Sequence, residues 1–166
     1  MEKNENLSFN DLVSDIQDNN KYIELKKEFH HGINRYTHSI RVARVTYKIS
    51  KLLKLDYKSA TRGAMLHDFF SNEEYGNVKG LKTAKVHPHI ACLNAKNEFV
   101  LNEIEQDVIS SHMYPINTHK PSYKESWLVN VVDEGVSLYE ITRYKLSNSL
   151  TIFILFIMNM LIFGQK

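Results

Sequence analysis

The stretch "THSIRVARVTYKISKLLKL", residues 37–55, decides the fold class, because its apolar residues recur with the period of an α-helix. These apolar residues are Val42, Val45, Ile49, Leu52 and Leu53. His38 lies four residues before Val42 and therefore belongs to the same predicted buried stripe. A histidine in that position is either a hydrogen-bonded core residue or a ligand.

The segments on either side also show helical patterns, separated by polar breaks. Ser8 is a predicted N-cap for helical residues 8–28, and Asp56 for a helix from Tyr57 to about Phe70. Pro88 suits the first turn of the next helix. Further helices are predicted in residues 102–113 and from Lys124 to Tyr144, whereas the predicted loops are "HHGINRY" (30–36), 71–80 and "YPINTHKPSY" (114–123). No segment alternates convincingly as a strand, so the sequence predicts an all-α bundle.

Length, charge and cysteine content limit the classes of function. The chain has 166 residues, 43% of them hydrophobic, which suits one domain with a substantial core. Its 21 basic and 19 acidic residues are scattered and give a net charge of +2, so no nucleic-acid partner is expected. Cys92 is the single cysteine, which fits a reducing compartment. The polar N-terminus lacks the features of a secretory signal, and we expect a cytoplasmic protein.

The stretch "GAMLHDFF", residues 63–70, places His67 beside Asp68 at the end of a predicted helix. Small and apolar residues precede the pair and two phenylalanines follow it, so the pattern predicts burial. Burying a carboxylate without a partner costs free energy. The rest of the chain must therefore supply a cation, or the pair must be solvated.

Five segments each present a histidine or an aspartate at an inward or helix-terminal position. These residues are His38, His67 with Asp68, His87, His112 and Asp133. Any one of them has another explanation, such as a hydrogen-bonded core histidine or, for Asp133, a salt bridge to Arg41 or Arg143. Their accumulation favours a metal ion, because one core rarely buries four histidines and two aspartates without a cation. Imidazole and carboxylate ligands without a thiolate suit manganese, iron, cobalt, zinc or magnesium.

The order of His38, then His67 with Asp68, then Asp133 resembles the signature of the HD-domain phosphohydrolase superfamily. "VHPHIACLNA" (86–95) is similar to a segment of the HD-GYP branch and other two-metal members, and "SHMYP" (111–115) resembles that branch's second histidine region. The similarity to small bacterial HD-domain hydrolases covers roughly residues 30–145. This chain lacks the lysine that follows the His-Asp pair in the HD-GYP branch and a full Gly-Tyr-Pro element, so cyclic dinucleotide hydrolysis is not supported.

The resemblance implies an all-α, HD-domain-like bundle with a metal site in its core. The implied ligands are His38, His67, Asp68 and Asp133 for a first metal and His87 and His112 for a second, with Asp68 bridging the two. One or two divalent ions per chain are therefore expected, with His67 and Asp68 as the catalytic pair. His87 precedes Pro88 at a predicted helix start, where it would turn inward or simply cap the helix, and His89 is the substitute ligand. His30, His31, His89 and His119 are expected at the surface, unless His89 takes the place of His87.

Two adjacent divalent ions would provide hydroxide near neutral pH and neutralise charge on a phosphoryl oxygen. The predicted activity is therefore hydrolysis of a nucleotide or another small phosphate ester. Arg35, Arg41 and Lys82 are the basic residues nearest the ligand segments, and each either binds substrate phosphate or is a solvated helix-face residue. One alternative is an HD-fold sensor or scaffold that binds metal or nucleotide without turnover. Another is a helical interaction module with incidental histidines.

The stretch "LTIFILFIMNMLIF", residues 150–163, contains no charged residue and lies beyond the resemblance. As a helix it would span roughly 21 Å, short of the ~30 Å hydrocarbon core of a bilayer. We therefore expect a helix packed on the bundle or on a second copy in a homodimer, with weak membrane association as the alternative. The predicted divisions of the chain are an N-terminal helical segment, 1–28, the HD domain, 29–145, and a hydrophobic C-terminal helix, 146–166.

Overall fold

The computed structural model describes residues 6–30, 32–74 and 81–163, except for the side chains of His30, Leu150 and 152–163. Over these residues the fold is all-α, as predicted. The helices are α1 (Phe9–Gln17), α2 (Asn20–Glu24), α3 (Arg35–Leu52), α4 (Tyr57–Leu66), α5 (Leu81–Glu98), α6 (Glu103–Ser111) and α7 (Lys124–Phe163). A 3-10 turn, Leu25–Lys27, follows α2.

A short hairpin replaces part of the loop predicted at residues 30–36. Strands β1 (Phe29–His30) and β2 (Ile33–Asn34) pair in antiparallel fashion, and Arg35 already begins α3. Gly32 at the hairpin tip has a positive φ of 86°. A Cβ there would lie 2.4 Å from Cδ2 of Tyr144, so both the backbone conformation and the close contact require glycine.

The helix starts follow from local side-chain chemistry. The Ser8 hydroxyl accepts from the Asp11 amide, and the Asp11 carboxylate accepts from the Ser8 amide, which forms a capping box. Asp56 caps α4 by accepting from the amides of Lys58 and Ser59. Both predicted N-caps are confirmed.

One apolar core joins the helices. α3 packs against α4 and α7, and α4 packs against α1 and α6. Leu12, Val13 and Ile16 of α1 lie in the same buried cluster as Val108 of α6 and Val129 of α7. The N-terminal helices therefore contribute to the core that also surrounds the predicted ligands.

The apolar stripe predicted for α3 is confirmed at Val42 and Ile49 but is wrong at Val45, Leu52 and Leu53. Leu52 is 81% exposed and Leu53 56% exposed, whereas Thr46 and Ser50 are buried. The Ser50 hydroxyl donates to the Thr46 carbonyl at 2.7 Å, so the helix backbone itself satisfies this buried polar group. Small side chains allow α3 to pack closely against α4.

Two helix boundaries also differ from the predictions. α4 ends at Leu66 instead of near Phe70. α5 begins at Leu81, so Pro88 lies inside the helix instead of in its first turn. Pro88 has no N–H to donate to the preceding turn, but it is buried, and its packing offsets part of that loss. Residues 71–74 are not helical, and the remainder of the predicted 71–80 loop lies outside the described residues.

α7 continues to Phe163, well past the predicted end at Tyr144. Residues 142–149 are exposed. The prediction that 150–163 packs on the bundle or on a second copy concerns side chains outside the described residues. Among the residues that were searched, which exclude those side chains, no helix is long and apolar enough to cross a membrane.

Candidate metal centre

All six predicted ligands converge in the interior. His38 lies in the second turn of α3, His67 and Asp68 follow the last turn of α4, His87 lies in α5, His112 follows α6, and Asp133 is on α7. Each histidine and Asp133 are buried, and the Asp68 side chain is 15% exposed. Five separate elements thus bring these side chains together, as the sequence predicts.

The first half of this cluster contains His38, His67 and Asp133. The Nε2 atom of His38 lies 2.9 Å from Oδ1 of Asp133, and Nε2 of His67 lies 3.5 Å from the same oxygen. Oδ2 of Asp68 also faces this half and lies 3.9 Å from Nε2 of His67.

The second half contains His87 and His112, whose Nε2 atoms lie 2.8 Å apart. Oδ1 of Asp68 lies 3.3 Å from Nε2 of His87 and 3.8 Å from Nε2 of His112. The two oxygens of Asp68 therefore face different halves, which is the arrangement expected of a bridging carboxylate.

The other ring nitrogen of each histidine fixes its tautomer. Nδ1 of His67 lies 2.8 Å from the carbonyl oxygen of Ala64, and Nδ1 of His112 lies 2.8 Å from that of Ile109. Nδ1 of His87 lies 3.0 Å from the carbonyl oxygen of Thr83. A carbonyl only accepts hydrogen bonds, so each Nδ1 carries a proton and donates it. In the neutral imidazoles the lone pair is then on Nε2, which faces the two aspartates.

This arrangement leaves polar groups that only a cation or extra protons can satisfy. The Nε2 atoms of His87 and His112 are in contact, and two lone pairs repel unless a positive charge lies between them. Among the described residues, Nε2 of the fully buried His67 has no hydrogen-bond partner. Orphaned buried nitrogens of this kind are rare and require an explanation.

The donor separations fit a metal site. Donor atoms about 2.1 Å from one ion lie roughly 3.0–3.4 Å apart in octahedral or tetrahedral geometry. Three overlapping sets have ligand atoms within 4.8 Å of one another. They are His38 with His67 and Asp68, His67 with His112 and Asp133, and Asp68 with His87 and His112. These buried groups could therefore hold a metal ion, with donor types that suit a divalent transition metal.

Electrostatics makes the first half of the metal-free cluster, with His38 and His67, a charged half, and it keeps His112 neutral. Burial opposes the charged form of His38, but hydrogen bonds to Asp133 and Glu140 raise its pKa to about 10. Burial likewise opposes protonation of His67, but the charges of Asp68 and Asp133 raise its pKa. Burial, reinforced by the neighbouring His87 and His67, lowers the pKa of His112 to about 3. Metal binding would displace protons from the charged half.

The carboxylates complement this pattern. Burial favours their protonated forms, but the charge of His67 and the hydrogen bond from His38 lower the pKa of Asp133. The pKa of Asp68 lies well below its usual value, because the charge of His67 and the contact with His87 outweigh the effect of burial. Both carboxylates are therefore ionised near neutral pH and available as ligands.

We expect the stability of the metal-free protein to fall as pH decreases from 6.5 to 4.5, with a slope on the order of 1 kcal/mol per pH unit. In the unfolded chain His112 gains a proton near pH 6.5, whereas in the fold it stays neutral until about pH 3. The raised pKa of His38 keeps that group protonated in the fold over this range, and the unfolded chain also protonates it below about pH 6, so its opposite contribution is confined to the upper end of the range. His87, His67, Asp68 and Asp133 face His112 and set its pKa. Denaturant titrations with chelator measure the slope, and an equally steep slope in His112→Asn would contradict the assignment to this group.

Further residues that support the site were not predicted from the sequence. Glu140 accepts from His38 Nδ1, seven residues after Asp133 on the same face of α7. That spacing is the sequence signal for its position. Asn130 donates through Nδ2 to the carbonyls of His112 at 2.6 Å and Tyr114 at 2.9 Å. One turn earlier, the Trp127 ring packs edge-on against the Tyr114 ring, with 5.6 Å between centroids.

The predicted phosphate-binding residues are partly engaged by other groups. Arg35 is buried, contacts Glu28 and Asn72, and lies over the Phe70 ring at 4.0 Å. Phe70 in turn stacks on the ligand His87, with centroids 4.8 Å apart. Arg35 therefore contacts the aromatic support of a ligand.

The other basic residues considered for the cluster have carboxylate or hydroxyl partners or are exposed. Arg41 pairs with Glu140 and Arg143 donates to Tyr139, so neither is paired with Asp133. Lys82 and His89 are exposed on α5, and His87 is the α5 histidine in the cluster. His119 is half-exposed and contacts Asp107. The surface predictions for His30 and His31 concern groups outside the described residues.

Comparison with protein-family models, with curated proteins and with solved structures finds no match to this chain. The geometry and chemistry of the His–Asp cluster are therefore the basis for assigning a function.

Proposed function

We propose that the protein is a divalent-metal-dependent phosphohydrolase of the HD-domain type, acting on a nucleotide or another phosphate ester. The observation that carries the proposal is the 2.8 Å contact between Nε2 of His87 and Nε2 of His112. Because both Nδ1 atoms donate to backbone carbonyls, the two lone pairs converge on one point beside the Asp68 carboxylate. Such convergence of donors supports the proposal of a metal site.

The proposed roles of the residues follow from their positions. The ligands would be His38, His67, Asp68 and Asp133 at the first metal position, and Asp68, His87 and His112 at the second. Divalent ions held there would act as Lewis acids toward water and toward a phosphoryl oxygen, which is the basis of metal-assisted phosphate ester hydrolysis. Asp68 would hold the two positions at a fixed separation, with one carboxylate oxygen toward each.

Side chains next to the ligands keep them in place. The Phe70 ring stacks on His87 with an interplanar angle of 25°, which limits rotation of that imidazole. Asn130 holds the backbone carbonyl of His112. The ligands are thus oriented before a metal binds, which lowers the entropic cost of forming the site.

Metal analysis followed by an activity assay tests the proposal. Purified protein is expected to contain divalent metal and to hydrolyse phosphate esters or nucleotides, with loss of activity in chelator and recovery on adding Mn²⁺. Hydrolysis that is insensitive to chelator would refute metal catalysis by this site. Protein that takes up no divalent ion would refute the metal site itself.

A second candidate is an HD-fold sensor or scaffold that binds metal or nucleotide without turnover. The observation that favours it is the engagement of Arg35 and Arg41 by Glu28 and Glu140, because an arginine paired with a carboxylate is a weaker phosphate ligand. Metal binding without hydrolysis across a panel of nucleotides and phosphate esters would support this candidate.

If both metal positions are used, His112→Gln is expected to remove about one equivalent of metal per chain and to spare the other. His112 contributes to the second position, whereas the first has four other ligands. Metal content of protein dialysed against Mn²⁺ and then against metal-free buffer gives the ratio. His89→Gln, on the exposed side of α5, is the control and should retain the wild-type content. A wild-type ratio fixed near one per chain would exclude the two-metal form.

A further inference from the structure

Glu140 connects the metal cluster to a charged side chain on the bundle surface. It lies two helical turns after Asp133 on α7, so both carboxylates project from one face of the helix. Glu140 is buried, although glutamate is rarely buried without a partner. Its two oxygens have separate partners on α3, the helix that carries His38.

The contacts form a chain of three residues. Oε2 of Glu140 accepts from Nδ1 of His38 at 2.8 Å, and Oε1 accepts from NH1 of Arg41 at 2.8 Å. Arg41 lies three residues after His38, on an adjacent turn of the same face. The Arg41 side chain is 40% exposed, whereas Glu140 and His38 are buried.

His38 differs from the other three histidines of the cluster in the group that accepts its Nδ1 hydrogen bond. His67, His87 and His112 donate from Nδ1 to neutral carbonyl oxygens within their own helical turns. His38 donates to a carboxylate on another helix. A carboxylate behind a ligating histidine fixes the ring and makes its other nitrogen a stronger donor.

We infer that Glu140 is a positioning residue for the first metal position, and that Arg41 holds the Glu140 carboxylate in place. The inference rests on the proposed metal centre and extends it to two residues outside the ligand set. Because Oε1 is occupied by Arg41, Glu140 presents only Oε2 to His38, which sets one orientation of the imidazole. Arg41 thereby acts behind His38, on the side of the ring away from Asp133.

Glu140→Gln tests the role of the carboxylate in the full-length chain. Glutamine retains an acceptor oxygen but loses the charge, and its amide N–H₂ cannot accept from Arg41. The affinity for the first Mn²⁺ is expected to fall about tenfold or more, the size of effect usual for such outer residues. Titration calorimetry with Mn²⁺ at a temperature where wild type and variant are both folded in chelator gives the affinity directly.

Glu134→Gln is the matched control, because it makes the same change at an exposed position of α7 and should leave the affinity unaltered. Arg41→Gln is the second variant. Its affinity for Mn²⁺ is expected to lie between those of wild type and Glu140→Gln, because the Glu140 carboxylate remains and only its Arg41 partner is lost. If Glu140→Gln does not fold, the Mn²⁺ affinity of Arg41→Gln alone tests the positioning role.

The outcomes separate this inference from the proposed function. If wild type binds Mn²⁺ and both variants bind it with wild-type affinity, Glu140 and Arg41 have only a structural role and the inference is overturned. If wild type binds no Mn²⁺, the metal centre itself is refuted. A reduced affinity in both variants, with unchanged affinity in Glu134→Gln, supports the positioning role.

Discussion

Asp68→Asn is expected to remove divalent metal from both halves of the cluster and to lower phosphate ester hydrolysis about a thousandfold, since metal activation supplies several kcal/mol to such reactions. Oδ2 of Asp68 faces His67, whereas Oδ1 faces His87 and His112. Asparagine has nearly the same shape, but it carries no negative charge and offers one oxygen in place of two. The variant therefore removes the bridge with little change in packing.

Metal content and kcat/KM measured on the same preparation check this prediction. Asp18→Asn makes the same chemical change at an exposed position after α1 and should behave as wild type. If Asp68→Asn keeps full metal content, the bridging assignment is wrong. If the metal is lost but hydrolysis continues, the activity belongs to another site or another protein.

Gly63→Val is expected to lower the free energy of unfolding by about 3 kcal/mol or more, the upper part of the range for overpacked cores. A Cβ at Gly63 would lie 2.7 Å from Cγ1 and 2.8 Å from Cβ of Val108. α4 and α6 meet at this contact, and their C-cap residues are His67 and His112. Separating the two helices would therefore also move both proposed metal ligands.

Alanine substitutions at two glycines provide the control, because they should change the free energy of unfolding in opposite directions. Gly63→Ala should destabilise the protein, because even one methyl group is too close to Val108. Gly135→Ala should stabilise it by roughly 0.5–1 kcal/mol, because among the described residues no atom outside the local helix backbone lies within 4 Å of that Cβ and alanine favours the helix. Denaturant unfolding curves give both values, and equal effects at the two positions would contradict the close packing of α4 on α6.

The sequence was sufficient to predict the all-α fold and the residues of the cluster, for one physical reason. Histidines and aspartates at inward positions of amphipathic helices must converge when those helices share a core, as His38, His112 and Asp133 do. The positions of Ser8 and Asp56 as N-caps were predictable because capping depends on residues only three positions apart.

Features that depend on neighbouring helices were not predictable. Leu52 and Leu53 continue the apolar pattern of α3, but they lie at its end, beyond the helices that cover Val42. Glu140 has the sequence features of a solvated helix residue, and only the approach of α3 makes it a partner of His38. Pro88 is a usual first-turn residue, and its place inside α5 reflects packing that local propensity does not contain.

The protein contains one tryptophan, and its position makes it an optical probe of the second half of the cluster. Trp127 is 41% exposed, and its ring lies against the Tyr114 ring. The side-chain amide of Asn130 donates to the backbone carbonyls of both Tyr114 and His112, which links this aromatic pair to the cluster. The emission spectrum of Trp127 is therefore sensitive to the segment that follows α6, whereas circular dichroism at 222 nm averages over all the helices. Comparing the two signals during unfolding would show whether this segment opens together with the rest of the bundle or before it.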